Sequence, residues 1–260
     1  MNQGERDEFL IQLKLIQLRD SDKTIPVFGK ITSVGLEHEY NKMTESLNLQ
    51  NIKNASDTIL TQIAKQHGIS KACANYKADT KINSIPVSLK SNNAAPPAIV
   101  NHTTRPGFER IAKCVGVDIS KLDALVDKYW ELRMKNAIPE DIHNDNPISP
   151  FKQHKDILEP YLNYFLFTGT GSKASKLPAA KILTFANPLD IKTWHISCPA
   201  DAIKLYWDNL VFSLRAKKGM PKGYPDNMTK RMMPQKQSVK LWTRYIDGSY
   251  RGALHIRTKK

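Results

Sequence analysis

Asp79 and Lys90 are the two residues whose types and spacing could do chemistry together. The lysine closes the triplet Ser88-Leu89-Lys90, and the aspartate opens the segment that leads into it. Between them Asn83-Ser84 is turn-prone, and residues 85–90 alternate in polarity, so 79–90 reads as a β-hairpin. In the second strand Val87 and Leu89 point to one face, Ser88 and Lys90 to the other. Pairing with the first strand then brings Asp79 to the same rim as Lys90. A carboxylate and an ammonium held on one stiff edge suit metal-dependent phosphodiester hydrolysis. A hard cation such as Mg2+, bound by one or two carboxylates, neutralises charge on the phosphorus, and a neighbouring lysine orients the attacking water and stabilises the developing charge.

This stretch resembles the type II restriction endonucleases built on the PD-(D/E)XK nuclease core, whose motif is an aspartate, a variable gap, then acid-x-lysine. Here it reads Asp79 followed by Ser88-Leu89-Lys90, with Ser88 where most members carry a second carboxylate; an MspI-like subgroup carries a neutral polar residue there. The run after Lys90, with Ala94-Ala95-Pro96-Pro97-Ala98 and then Asn101-His102-Thr103-Thr104-Arg105, also looks like enzymes of this kind.

The resemblance implies a restriction-endonuclease-like α/β (α+β) fold, a central mixed β-sheet flanked by helices. It implies Mg2+ as cofactor, with Asp79 as metal ligand and Ser88 offering its carbonyl or hydroxyl. It also implies in-line attack that leaves 5′-phosphates, and a companion DNA methyltransferase. Family members often carry an acid four residues after a glycine on the first core helix. After Gly35 that position is Glu39, with Glu37 as competitor; both are also what a helix dipole favours in any first turn.

The elements that must position these groups are legible in outline. Residues 5–18 carry Phe9, Leu10, Leu13 and Ile16 at helical spacing. Leu36, Tyr40, Met43 and Leu47 mark a second helix. Ile59, Leu60, Ile63 and Ala64 mark a third, between a capping Ser56 or Asp57 and His67-Gly68. Beyond the Pro96-Pro97 break, 108–115 and 120–136 read as helices, with 101–105 a loop before them in which His102 and Arg105 approach a phosphate beside Asn101 and Thr103. A polar stretch, 138–150, is the expected boundary between a catalytic part (1–150) and a recognition part (151–260) packed on the same globule. The recognition part starts with a helix over 151–167 containing Pro160. It then turns to β at 181–185, 194–197, 210–214, 239–245 and 253–257, with one helix at 200–207.

The charge is uneven. The chain carries a formal +14, and from Ser213 to Lys260 there are thirteen Lys or Arg against two acids, Asp226 and Asp247. A localised cationic excess is the footprint of a polyanion, here double-stranded DNA. Lys217, Lys218, Lys222 and Lys230 suit phosphate neutralisation, and Arg231, Arg244 and Arg251 suit base reading. Three widely spaced cysteines support neither a disulfide framework nor a thiolate zinc site. No apolar run is long enough to span a bilayer and the acidic start is unlike a signal peptide, so cytoplasm is expected, with no membrane partner. A nucleotide P-loop at 168–173 and an HNH site at 143–146 both lack the required pattern. The expected activity is therefore site-specific cleavage of duplex DNA by a monomer or homodimer. The alternatives are a DNA-binding regulator without chemistry, or a structure-selective repair nuclease on the same core.

Overall fold

The computed structural model describes residues 1–36, 48–92, 98–216 and 240–259. The chain is mixed α/β and divides into two compact units, each discontinuous in sequence: Met1–Ala95 with Ala174–Ala202, and Pro96–Lys173 with Ile203–Lys260. Residue 150, where the sequence suggested a boundary, lies inside the second unit.

In chain order the first unit begins with α1 (Gln3–Asp20), started by a capping box in which Asn2 and Glu5 satisfy each other's backbone N–H groups. A minimal pair, β1 (Thr24–Ile25) and β2 (Gly29–Lys30), follows. Next are α2 (Leu49–Lys53) and α3 (Asp57–Gln66), the latter capped by Ser56. The catalytic hairpin expected from sequence is β3 (Thr80–Ile82) and β4 (Ile85–Ser91). The chain then builds most of the second unit with β5 (Ala98–Thr104), α4 (Arg105–Val115), α5 (Ile119–Met134), β6 (Ile142–His143) and α6 (Lys155–Asn163). It returns to the first unit for β7 (Lys181–Phe185) and β8 (Trp194–Ser197). Beyond α7 (Pro199–Tyr206), it completes the second unit with β9 (Leu210–Arg215), β10 (Arg244–Ile246), β11 (Ser249–Arg251) and β12 (Ala253–Thr258).

The first unit's main sheet has the order β3-β4-β7-β8 and is mixed: β4 and β7 are parallel, the outer pairs antiparallel. Strands 181–185 and 194–197, expected in a recognition part, therefore belong beside Lys90. Register fixes that placement, since Lys90 is opposite Thr184 and Leu89 opposite Leu183. Val87 and Leu89 sink into a core shared with Leu10, Leu13 and Ile16 of α1, as their alternation requires. Ser88, expected on a polar face, is also buried, because β4 is flanked by strands on both sides.

The hairpin turn is anchored from outside. Asn83 and Ser84 both adopt positive φ, 50° and 67°, the geometry of a two-residue turn whose twist matches its strands. The Asn83 side chain accepts from Thr32 N at 2.8 Å and donates to Lys30 O at 2.8 Å and Phe28 O at 3.0 Å. One amide thus ties the 28–32 segment to the turn.

The second unit's main sheet is antiparallel throughout, with order β5-β12-β9-β6. Phe108 of α4 lies within 5.5 Å, ring to ring, of Tyr161, Phe165 and Trp242. Three local expectations are corrected here. Residues 101–104 are in strand β5, with Arg105 as the first residue of α4, because pairing with β12 extends the segment. The helix expected from 151 begins at 155, and after Pro160 it passes into a π-helical turn over Tyr164–Thr168. Pro160 has no N–H to continue the α-helical ladder. The strand expected over 239–245 is helical at 240–242, and only Arg244–Ile246 is extended.

Asn83→Ala should destabilise the first unit by about 2 kcal/mol, combining lost hydrogen bonds with alanine's poorer tolerance of the left-handed backbone that asparagine accepts. Urea unfolding followed by circular dichroism measures this, and a change under about 0.5 kcal/mol, as for an ordinary surface substitution, would show that the turn does not depend on that amide.

Candidate functional site

Asp79 immediately precedes β3, and its backbone N–H donates to Val87 O at 2.9 Å, continuing the hairpin ladder by one residue. Its carboxylate then turns back onto the facing strand. Oδ2 accepts from the Leu89 N–H at 2.7 Å and from the Ser88 hydroxyl at 3.0 Å, and Lys90 Nζ lies 3.6 Å away. The Asp79 side chain is 20% exposed and that of Lys90 36%, so both reach solvent from a fixed base. Ser88 spends its proton on Asp79, which orients the carboxylate. All three contacts fall on Oδ2, leaving Oδ1 with no protein partner among the described residues.

Two further groups share the electrostatics of this pair, and neither stood out in the sequence. Glu8 of α1 lies close enough to feel both charges. Its carboxyl is pushed up to about 7, first by burial and then by the negative charge of Asp79, with Lys90 pulling the other way. Lys77, just upstream of Asp79, is brought down to about 8, mainly by burial and also by the like charge of Lys90. A metal-binding carboxylate on the first helix was sought at Glu39 or Glu37. Both lie outside the described residues, and the acid that the structure brings to Asp79 is Glu8. Only the packing of α1 against β4 reveals it, since a glutamate early in an amphipathic helix carries no signal of its own.

The carboxylates that a cation could use in this neighbourhood are those of Asp79 and Glu8, which both line one cleft. No cluster of three or more His, Cys, Asp or Glu that could hold a metal occurs among the described residues. Mg2+ does not require one, since it keeps several waters and is usually held by one or two carboxylates. The donor set fits a hard cation and not a soft one.

The remaining residues singled out for DNA contact belong to the second unit. Asn101 is exposed on β5, and Thr103 is buried with its methyl tight against Gly107 and Gly171. Arg105 is 8% exposed, and its guanidinium forks onto Asp123 at 2.8 and 2.6 Å. Trp242 Nε1 donates to the same carboxylate at 2.7 Å. That network joins α4, α5 and the helical turn at 240–242. Arg244 pairs with Asp127 at 3.1 Å, and Arg251 pairs with Glu140. Lys217, Lys218, Lys222, Lys230 and Arg231 lie outside the described residues. His102 has φ 44° and meets the Ala216 carbonyl through Nδ1 at 2.9 Å, and its ring lies 4.8 Å from that of His255. Among the described residues no helix is long and apolar enough to cross a membrane.

No family model, no curated protein and no solved structure matches this chain.

His255 supplies a pH prediction. Burial first, then Arg215, His102 and Arg257, hold its imidazole down at about 4, against an ordinary value of 6.5. The unfolded chain therefore binds more protons between these values. Its contribution to stability is full above pH 6.5 and is lost as pH falls through 4. Unfolding free energy should rise by up to about 3 kcal/mol from pH 4 to pH 6.5 through this group, and His255→Phe should flatten that slope. An unchanged slope in the variant would remove His255 as its source.

Proposed function

We propose that this chain is a Mg2+-dependent endonuclease of double-stranded DNA, of the type II restriction class, with Asp79, Lys90 and Glu8 at its centre. The observation that supports this reading most is the convergence of Asp79 and Lys90 at 3.6 Å on one hairpin edge, where the hairpin's own backbone aims the carboxylate.

Asp79 through Oδ1 and Glu8 would hold the cation, which supplies charge stabilisation for the pentavalent phosphorus when bound. The chain's own groups do the rest. Lys90 donates to a non-bridging phosphate oxygen and orients the attacking water. Ser88 and the Leu89 N–H keep the Asp79 carboxylate from turning away. Lys77, its amine less basic than an ordinary lysine, adds positive charge beside the phosphate. Water attacks in line and the bond to O3′ breaks, leaving a 5′-phosphate, as the resemblance implies.

The duplex is drawn by the cationic excess of the C-terminal stretch, which neutralises phosphates and releases counterions. A cytoplasmic setting and a companion methyltransferase complete the reading, as such a nuclease requires protected host DNA.

Incubation of the purified chain with plasmid DNA and Mg2+ should give discrete fragments with 5′-phosphate ends, and chelation should stop the reaction. Asp79→Asn and Lys90→Ala should each slow cleavage by about 100-fold or more, on the scale of losing one transition-state contact. Retardation of the same duplex in gels should change little. Intact but retarded DNA from the wild-type chain would instead make it a DNA-binding protein without chemistry, and undiminished cutting by either variant would reject the site.

A further inference from the structure

A cleft opens next to Asp79 whose walls do not suit a phosphate. It lies within the first unit, between α1, α3 and the segment 69–72, with a volume of about 300 Å3, and Asp79 is part of its lining. That volume is at the lower end of the roughly 300–1,000 Å3 typical of small-molecule sites, enough for a single planar ring system. Phe9, Ile69 and Ala72 supply apolar wall. The charges around it are largely taken up, since Glu5 pairs with Lys71, Asp79 with Lys90 and the N-terminal ammonium with Asp57. An anion gains little in such a place; a neutral aromatic group gains burial.

One polar group in the wall has no task in the fold. Gln12 is 4% exposed, and its Nε2 donates to Glu8 O at 3.3 Å. Its Oε1 has no protein partner among the described residues, although the residue lines the cleft. That oxygen keeps contact with solvent, and a ligand that brings an N–H replaces the water it would otherwise bind. The complementary ligand is flat, neutral and apolar on its faces, and carries an amine on its edge.

We propose that this cleft binds the nucleobase adjoining the scissile phosphate, turned out of the stack, and favours bases with an exocyclic amine over thymine. The inference rests on the nuclease reading of Asp79 and Lys90, which places a phosphodiester at the mouth of the cleft. Phe9 and Ile69 contact the base, and Gln12 Oε1 accepts from its amine. This makes the cleft a determinant of sequence preference within the cutting unit itself, separate from the basic stretch at 213–260.

The test is NMR titration of the full chain, without divalent cations, using dCMP, dAMP, dTMP and inorganic phosphate. The Gln12 side-chain amide and the Ala72 backbone amide should shift with dCMP and dAMP, which bind about five-fold tighter than dTMP, the scale of one net hydrogen bond. Inorganic phosphate should shift neither. Gln12→Met should erase the preference, and Ala72→Phe, which fills the cleft from the wall that is neither helix nor strand, should abolish binding that depends on the base. Nucleotides that bind no better than phosphate, or that are indifferent to Ala72→Phe, overturn the proposal. Cleavage of plasmid DNA with Mg2+ is measured on the same wild-type preparation. A chain that cuts DNA but shows no base-dependent binding loses this inference alone, whereas base binding without cutting upholds the cleft and removes the nuclease reading.

Discussion

The bond from the Leu89 N–H to Asp79 Oδ2 is the contact on which the proposed chemistry depends. A carboxylate that is to meet a cation must present its other oxygen outward, and a free aspartate has no reason to do so. Here the β4 backbone takes one oxygen and Ser88 reinforces the grip, so Oδ1 is presented by default. The arrangement holds only in one hairpin register. A slip of one residue would turn Lys90 to the core face and Leu89 to the rim. Asn83 and Ser84, with their left-handed backbone and the tie to residues 28–32, are what exclude the slip. The site is therefore held from a turn at its far end, through a register, to a single oxygen atom.

The hairpin alone would not be stiff, because a two-stranded ribbon is marginal in water. β7 makes it part of a sheet by pairing in parallel with β4, and a parallel pair demands a long connection. In most folds that connection is one helix. Here it includes β5, α4, α5, β6 and α6, which form much of a unit with its own antiparallel sheet and aromatic core. This explains why the expected boundary near 150 fell in the wrong place. A polar loop rich in Pro, Asp and Asn is a local signal, whereas the division of this chain is made by strands that leave one sheet and return to it.

What could be read from the sequence follows the same line. Local patterns were legible: the turn at Asn83-Ser84, the alternation in 85–90, the helical stretches of α1, α3, α4 and α5 with the cap of α3, and the strands at 181–185, 194–197 and 210–214. Each is written in neighbours a few residues apart. Partnerships across the chain were not legible. β7 and β8 were seen as strands but assigned to the wrong part, because alternation says that a face is buried and not against what. Glu8 was invisible for the same reason, as its significance comes from Asp79 and Lys90 across the packing of α1 on the sheet. Arg105 shows the converse error. Sequence placed it in a loop near the cutting strand, yet its guanidinium is buried on Asp123 and supports the indole of Trp242 through that shared carboxylate.

That commitment of Arg105 is part of a wider pattern that bears on the attraction proposed for DNA. From residue 213 onward the chain carries thirteen cations and two acids, but every arginine described there is spoken for. Arg215 and Arg257 share Asp141, Arg244 takes Asp127, and Arg251 takes Glu140. Lys259 adds a contact to Asp145. The acids all come from 127–145, so the apparent basic surplus of the C-terminal strands is largely cancelled within the second unit. Paired surface charges of this kind are worth little to a passing phosphate, since displacing a carboxylate offsets most of the gain. The charge that remains uncompensated in sequence terms is the run 217–239, with Lys217, Lys218, Lys222, Lys230, Arg231 and Lys236 against Asp226 alone. In the proposed reading a polyanion would meet its least balanced charge in that run of sequence, whereas the strands that flank it in the chain, β9 and β10, carry arginines paired within the unit.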